Sequence, residues 1–340
     1  MGFKVVNTFY EASRSYREDL LKPLGATLVN GRWFSEEDLI ANTKDADAII
    51  CASPIQDWTP RVLMGLPKCR IIATTSIGYE RIPMDVAAKM VIAVVNIPDY
   101  CIDEVSSQAI ALLMALSRRL LPVDKAVKEK QAFLTPGNRK GLDEIGPVYR
   151  MRGQTLGIIG FGKIGTTVAL KAKGLGLRVI TYDPYVYEAV MYSHGVEPAG
   201  LDRLVRESDF ISVNATLTDE TRGMLGPEQF KKMKPTCYVI NTARGEIIQQ
   251  PALVEALKKG LIAGAGLDVT IDEPVAADNP LLKMPNVILT GHVAWYSTSS
   301  ESDEEFWHKP MGQVAMALKG QWPSYGVNPG LKQKWLEKWI

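Results

Sequence analysis

Midway along the chain stands the sequence Thr155-Leu-Gly-Ile-Ile-Gly-Phe-Gly-Lys-Ile-Gly165, an apolar strand-like run that ends in a glycine-rich turn. A helix-compatible segment follows, and a second strand-like run then ends at Asp183. The three glycines of the turn have the spacing that lets a pyrophosphate approach the backbone at the start of a helix. An acidic residue after the second strand can accept both hydroxyls of a ribose. This order predicts a dinucleotide site, against the plainer interpretation of a glycine turn with an unrelated aspartate.

The composition narrows the possible partners. The chain has 340 residues, enough for about two domains, and a formal net charge of +1, which favours neither nucleic acid nor a membrane surface. Its four cysteines include no CxxC pair, so we expect no metal site. No apolar run approaches the length of a membrane span, and the chain begins with a strand-like run rather than a signal peptide. We therefore expect a soluble, cytoplasmic protein that acts on a small molecule.

The first half of the chain also alternates strand-like and helical segments, which predicts a parallel sheet of its own. The strand-like runs are Phe3–Val6, Ala26–Val29, Ala48–Cys51, Ile71–Thr74 and Val91–Val95. A long, largely apolar helix is expected over Glu104–Arg119, as a connector between two bodies.

The second half predicts six strands, the number in a full dinucleotide-binding sheet. They are expected at Thr155–Ile159, Arg178–Tyr182, Phe210–Val213, Tyr238–Asn241, Ala263–Asp268 and Val287–Thr290. Residues 122–152, rich in Gly, Pro, Lys and Arg, are expected to form an ordered loop outside both sheets.

Three residues suited to chemistry follow three of these strands. Arg244 follows the fourth predicted strand, Glu273 the fifth and His292 the sixth. Open α/β sheets bind their ligands at the carboxyl ends of their strands, so these side chains can converge. Singly, each has a plainer interpretation, as a surface ion pair, a loop acid or a core histidine. Together, behind a dinucleotide fingerprint, they predict an active site, whereas His194 and His308 are expected to be surface or structural residues.

At these residues the chain resembles the D-isomer-specific 2-hydroxyacid dehydrogenase family, over nearly its whole length. The resemblance is carried by Gly157–Gly165, Asn241–Ile248, Gly266–Pro274 and Gly291–Ser297. It implies an α/β protein with two doubly wound parallel-sheet domains. A Rossmann NAD-binding domain (residues 102–295) would be inserted into a flavodoxin-like substrate-binding domain (residues 1–101 and 296–340). The active site would lie in the cleft between them, and the protein would be a homodimer through the NAD-binding domain.

The resemblance also implies roles for individual residues. Arg244 would bind the carboxylate of a 2-oxo or 2-hydroxy acid, and His292 would be the acid/base, paired with Glu273. The residues implied to contact NAD are Gly160, Gly162, Lys163, Ile164, Gly165, Asp183, Thr216, Thr221, Thr242, Ala243 and Asp268. Those implied to contact the substrate are Ile77, Gly78, Tyr100, Arg244 and Trp295. The cofactor is expected to be NAD rather than NADP, because Asp183 would repel a 2′-phosphate and residues 184–187 offer no cation.

The chain departs from the family pattern in three places. Glu80-Arg-Ile-Pro83 stands where Asp-Asn-Ile-Asp is usual, and Val105-Ser-Ser107 where Val-Ala-Glu is common. Asn214-Ala-Thr-Leu217 replaces a usual His-x-Pro-Leu. The first two departures bear on the shape of the substrate pocket and the third on the cofactor contacts.

The sequence leaves the physiological substrate open. In motif the chain is closest to the D-lactate-dehydrogenase-like and C-terminal-binding-protein-like branches of the family. The first alternative is therefore an NAD(H)-sensing corepressor or scaffold with little turnover. The second is a dehydrogenase of aromatic or cyclic 2-oxo acids.

Overall fold

The computed structural model describes residues 2–135, 137–142, 145–298 and 300–340. The chain forms two compact units, one of Met1–Tyr100 with Ser297–Ile340 and the other of Cys101–Tyr296. The strands are β1 (Lys4–Asn7), β2 (Thr27–Asn30), β3 (Ala48–Cys51), β4 (Ile71–Thr74), β5 (Ala93–Val95), β6 (Thr155–Ile159), β7 (Arg178–Tyr182), β8 (Glu197–Pro198), β9 (Phe210–Val213), β10 (Tyr238–Asn241), β11 (Gly264–Leu267) and β12 (Val287–Leu289). The α-helices are α1 (Glu36–Thr43), α2 (Pro60–Met64), α3 (Met84–Met90), α4 (Ile102–Ser117), α5 (Leu120–Lys130), α6 (Lys163–Gly174), α7 (Glu188–Ser193), α8 (Leu201–Glu207), α9 (Pro227–Lys232), α10 (Gln250–Lys258), α11 (Ser300–Leu318) and α12 (Lys332–Trp339).

The first unit contains, within the described ranges, a five-stranded sheet in the order β2-β1-β3-β4-β5. Every pairing in it is parallel, and the order is that of flavodoxin-like folds, as the sequence predicts. The central strands β3 and β4 are buried at every residue, which is why they are continuous apolar runs in the sequence. The fifth strand begins two residues later than expected. Val91 closes α3 in a left-handed conformation (φ +59°) and so does not extend the strand.

The last helices of the chain complete the first unit. Trp307 and Met311 of α11 and Trp335 of α12 are buried in one apolar cluster with residues of β1, β3, β4 and β5. The indole nitrogen of Trp335 donates to the carbonyl oxygen of Arg70 at 2.7 Å, just before β4. That of Trp339 donates to the carbonyl oxygen of Val91 at 3.0 Å. The carboxyl-terminal segment is therefore a structural part of this unit.

The second unit has, in the described part of the chain, a parallel sheet in the order β12-β11-β10-β9-β6-β7-β8. The six strands β8-β7-β6-β9-β10-β11, in their order across the sheet, have the arrangement of a Rossmann sheet, and β12 adds a seventh strand at the edge. The expectation of six strands is therefore wrong by one. The strand without a sequence signal is β8, a two-residue edge strand that contains a proline and no apolar run.

The segment that links α4 to β6 differs from expectation. Residues 122–130 belong to α5 rather than to a loop, and Asp124 and Lys128 form an i,i+4 ion pair of 2.8 Å on it. Arg119, with φ +53°, separates α4 from α5. Of the remainder of the expected loop, Pro136, Asp143 and Glu144 lie outside the described residues. None of the helices described is both long and apolar enough to cross a membrane.

Candidate active site

The glycine turn between β6 and α6 is shaped by close packing on two sides. Gly160 has φ +90°, and a Cβ there would lie 2.6 Å from the backbone nitrogen of Ala215. At Gly165 a Cβ would lie 2.1 Å from the carbonyl oxygen of Gly160, so this glycine lets α6 pack against the turn. At Gly162 a Cβ would meet nothing within 4 Å. The middle glycine thus faces open space at the amino end of α6, where a phosphate can approach the helix N–H groups.

Asp183, which follows β7, is tied to this turn. Its carboxylate oxygens accept the N–H groups of Phe161 at 2.8 Å and Tyr185 at 2.9 Å. The Tyr185 hydroxyl forms a hydrogen bond with the Glu220 carboxylate, and this bond raises the tyrosine pKa. Two carboxylates therefore lie around Tyr185, an arrangement that suits a ribose with free hydroxyls better than one with a 2′-phosphate.

Two buried polar atoms follow the neighbouring strands. Asn214 Oδ1, after β9, and Thr242 Oγ1, after β10, have no hydrogen-bond partner within the described residues. Buried polar atoms are usually hydrogen-bonded, and a polar ligand bound at this edge of the sheet would give both atoms a partner. With the open side of Gly162 and the anchored Asp183, the residues fit NAD, which members of this fold bind at the same edge of the sheet.

The other residues expected to contact NAD lie on the loops of the same edge. Lys163 and Ile164 are the first residues of α6. The Thr221 hydroxyl donates to the carbonyl oxygen of Thr216 at 2.7 Å, which closes the loop after β9. The Ala243 N–H donates to Asn241 Oδ1 at 3.0 Å.

The three residues expected to do chemistry belong to this unit. His292 Nδ1 lies 2.6 Å from Glu273 Oε2, and the second oxygen of Glu273 accepts the Thr270 N–H at 3.2 Å. Arg244 donates from Nη1 to the Ala243 carbonyl oxygen at 2.7 Å. Partial burial opposes ionisation of Glu273. The bond to His292, its charge, the Thr270 N–H and the charge of Arg244 outweigh burial and lower the pKa of the carboxyl below its usual value.

Asp268 anchors the loop that carries His292. Its side chain is buried and accepts the Thr290 hydroxyl at 2.5 Å and the N–H groups of Val293 at 3.1 Å and Ala294 at 2.9 Å. Its carbonyl oxygen accepts the His292 N–H at 2.6 Å, where His292 has the left-handed φ of +59°. The family resemblance implies only a cofactor contact for Asp268, so this anchoring was not predicted.

A sequence signal for the anchoring does exist. Leu267 of β11 pairs with Leu289 of β12, so the next residues of the two strands, Asp268 and Thr290, stand side by side. An acid and a threonine at neighbouring strand ends predict the bond between them once the register is known.

The residues expected to contact the substrate fall in both units. In the first unit, the Ile77 carbonyl oxygen accepts the Asn96 amide at 2.7 Å, and that of Gly78 accepts the Ser53 hydroxyl at 3.0 Å. Among the residues described, neither the Ile77 nor the Gly78 N–H has a protein acceptor. Tyr100 is mostly buried and packs edge-to-face on Phe306, with ring centroids 5.1 Å apart.

In the second unit, Trp295 is 38% exposed and packs edge-to-face on Tyr296, with ring centroids 5.9 Å apart. Trp295 therefore keeps surface that a ligand can contact, whereas Tyr100 is occupied mainly in packing.

The chain is similar to known proteins in both sequence and structure. Residues 110–294 match the family model of the D-isomer specific 2-hydroxyacid dehydrogenase, NAD binding domain. The chain is 41% identical over 272 residues to a glyoxylate reductase of Korarchaeum cryptofilum, covering 79% of each chain. It is 34% identical to a glyoxylate reductase of Thermococcus litoralis, covering 96% of this chain and 93% of the relative. The structure of D-lactate dehydrogenase with NAD+ from Lactobacillus jensenii superposes with a TM-score of 0.73 at 27% identity, covering 96% of this chain and 99% of that one.

Proposed function

This chain belongs to the family of D-isomer specific 2-hydroxyacid dehydrogenases, and we propose that it reduces a 2-oxo acid to the D-2-hydroxy acid. As a member of that family it is an NAD-dependent oxidoreductase that acts on CH–OH donors. The observation that carries the proposal is the 2.6 Å contact between His292 and Glu273, on a unit whose strand ends also hold Arg244 and the dinucleotide turn.

The proposed mechanism assigns each residue one task. When bound, NADH supplies a hydride for the carbonyl carbon. Arg244 holds the substrate carboxylate, because its planar guanidinium can make two parallel hydrogen bonds to it. Since Glu273 occupies Nδ1 of His292, the protonated imidazole gives its Nε2 proton to the carbonyl oxygen. Glu273 fixes the orientation of the ring and stabilises its positive charge.

The proposal also assigns the N–H groups of Ile77 and Gly78 to the substrate carboxylate. Neither N–H has an acceptor among the described residues, and Asn96 and Ser53 hold the carbonyl oxygens of the same loop, so both N–H groups can donate to an anion. Backbone N–H groups suit this task because they carry no net charge and need no reorganisation.

The test is a screen of NADH oxidation with glyoxylate, hydroxypyruvate, pyruvate, phenylpyruvate and a branched 2-oxo acid, with chiral analysis of the product. Glyoxylate comes first, because both relatives described above bear the name glyoxylate reductase. We expect turnover to a D-product where the product is chiral. His292→Ala should lower kcat by about 10²–10⁴-fold while NADH still binds. Trace turnover of every acid by the wild type would contradict the proposal and favour the corepressor or scaffold alternative.

We also propose that the protein is a homodimer through the second unit. Exposed apolar side chains cluster on α5 and just beyond it, namely Leu120, Leu121, Val127, Phe133 and Leu134. These five side chains belong to one short segment of the chain, and exposed apolar side chains grouped in this way are a feature of interfaces between protein chains. Sedimentation equilibrium should give twice the chain mass, and Leu121→Asp with Phe133→Asp should shift the mass towards that of one chain.

A further inference from the structure

A line of hydrogen bonds runs from α4 to the loop of His292. Gln108 Nε2 donates to Thr290 Oγ1 at 3.1 Å, and the Thr290 hydroxyl donates to Asp268 Oδ1 at 2.5 Å. We propose that Gln108 and Thr290 are positioning residues that hold His292 in place through Asp268. The functional part of this inference rests on the proposed role of His292 as the acid/base.

The direction of the bonds is fixed by their donors. An amide nitrogen can only donate, so Thr290 accepts from Gln108 with a lone pair of its hydroxyl oxygen. Its single proton is then left for Asp268, whose carboxylate can only accept. Gln108 thus keeps the Thr290 hydroxyl turned towards Asp268.

Asp268 connects these hydrogen bonds to the backbone of the loop that carries His292. The same oxygen that accepts Thr290 also accepts the Val293 N–H at 3.1 Å, and the other oxygen accepts the Ala294 N–H at 2.9 Å. The carbonyl oxygen of Asp268 accepts the N–H of His292 itself at 2.6 Å. The left-handed backbone of His292 is uncommon for a residue with a side chain, so it depends on such fixed neighbours.

The starting point of the line is a firmly placed helix. A Cβ on Gly266 of β11 would lie only 3.0 Å from the Cβ of Leu112 and 3.2 Å from Leu116, so α4 packs directly on this strand. Gln108 lies one turn before Leu112 on the same helix. The packing of α4 on β11 therefore fixes the position of Thr290. Thr290 in turn fixes the position of His292 through Asp268.

The experiment compares Thr290→Val, which removes the hydroxyl at nearly constant size, with Thr290→Ser, which keeps it. Gln108→Met removes the amide at the start of the line. Gln333→Met is the matched control, because the Gln333 amide donates to Glu337 on the exposed surface of α12. The readouts are kcat and KM for the 2-oxo acid and the low-field proton resonance of the His292–Glu273 hydrogen bond. The chain has three histidines, so this resonance can be assigned by its loss in His292→Ala.

We expect Thr290→Val to lower kcat about tenfold with little change in KM. A tenfold loss corresponds to the removal of one hydrogen bond to a charged group. The His292–Glu273 resonance should broaden or shift in the same variant. Thr290→Ser should restore both readouts, Gln108→Met should change them in the same direction by a smaller factor, and Gln333→Met should leave them as in the wild type.

An unchanged kcat and resonance in Thr290→Val would overturn the inference. Equal losses in Thr290→Val and Thr290→Ser would overturn it too, since the methyl rather than the hydroxyl would then matter. If Thr290→Val does not fold, Gln108→Met decides by the same two readouts. If the wild type turns over no 2-oxo acid, the proposed function fails, but the resonance still tests the positioning.

Discussion

His292 Nδ1 lies 2.6 Å from Glu273 Oε2, although the two residues belong to loops after different strands. Glu273 follows β11 and His292 follows β12, which are paired in parallel, so both loops leave the same edge of the sheet. The contact leaves Nε2 as the imidazole nitrogen that can exchange a proton with a ligand. The pH behaviour of the enzyme should therefore depend on the charge of Glu273.

Glu273→Gln should move the fall in the reduction rate to lower pH. In the proposed mechanism reduction needs the imidazolium of His292, so the rate should fall as pH rises, and a neutral glutamine stabilises the imidazolium less than a carboxylate does. The pKa of Glu273 is lowered, so in the wild type its charge is fully present above the ordinary glutamate range. It is lost only as pH falls through the lowered pKa. The measurement is the pH profile of kcat/KM for both proteins, and coincident profiles would show that Glu273 does not act on His292.

Arg244→Lys should lower kcat/KM for the 2-oxo acid by about 10- to 100-fold, because a lysine keeps the charge but cannot make two parallel bonds. The dissociation constant of NADH, measured by fluorescence titration, should barely change. The assignment of Arg244 to the substrate is wrong if this variant loses NADH binding and keeps normal saturation by the 2-oxo acid.

Asp183→Ser should narrow the preference for NADH over NADPH by about tenfold, since one carboxylate that repels the 2′-phosphate is removed. Binding of the two cofactors without substrate gives the ratio directly. Asp202→Ser is the control, because Asp202 lies on the exposed side of α8, paired with Arg206 at 2.7 Å. A ratio that stays at the wild-type value in Asp183→Ser would remove Asp183 from cofactor selection.

Two alanine substitutions in the glycine turn should have different effects. Gly165→Ala places a methyl group 2.1 Å from the Gly160 carbonyl oxygen and should lower the free energy of unfolding by about 1–3 kcal/mol. Gly162→Ala meets no atom within 4 Å, so the protein should keep its stability and bind NADH more weakly. Denaturant unfolding and NADH titration of both variants separate the two effects. Normal NADH affinity in Gly162→Ala would show that the open side of the turn does not face the cofactor.

Much of the fold could be predicted because both sheets are parallel and buried. The strands β3, β4, β6, β7, β9 and β10 have the predicted bounds. In such sheets a strand is a short continuous apolar run between polar loops, and its end can be located to the residue. Arg244, Glu273 and His292 were predicted as site residues by the same logic, and each of them follows a strand in the structure.

The features that could not be predicted lack such a signal or depend on register. The edge strand β8 is two residues long, one of them a proline, and it has no apolar run that would indicate a strand. The helix α5 was not predicted, because the overall content of Gly, Pro, Lys and Arg in residues 122–152 is typical of a loop. The role of Asp268 depends on backbone N–H groups of residues that carry no special side chain. The unpartnered atoms of Asn214 and Thr242 likewise become visible only when burial is known.

The division of the first unit between the two ends of the chain has a consequence for synthesis on the ribosome. Residues 1–100 emerge before the second unit, but the tryptophans of α11 and α12 that fill their core emerge after it. The second unit is continuous in sequence, so we expect it to fold while the first still waits for its final helices. Ribosome-bound chains that expose residues 1–296 should therefore yield a protease-resistant fragment of the second unit alone. Premature protection of residues 1–100 would mean that their sheet closes without these helices.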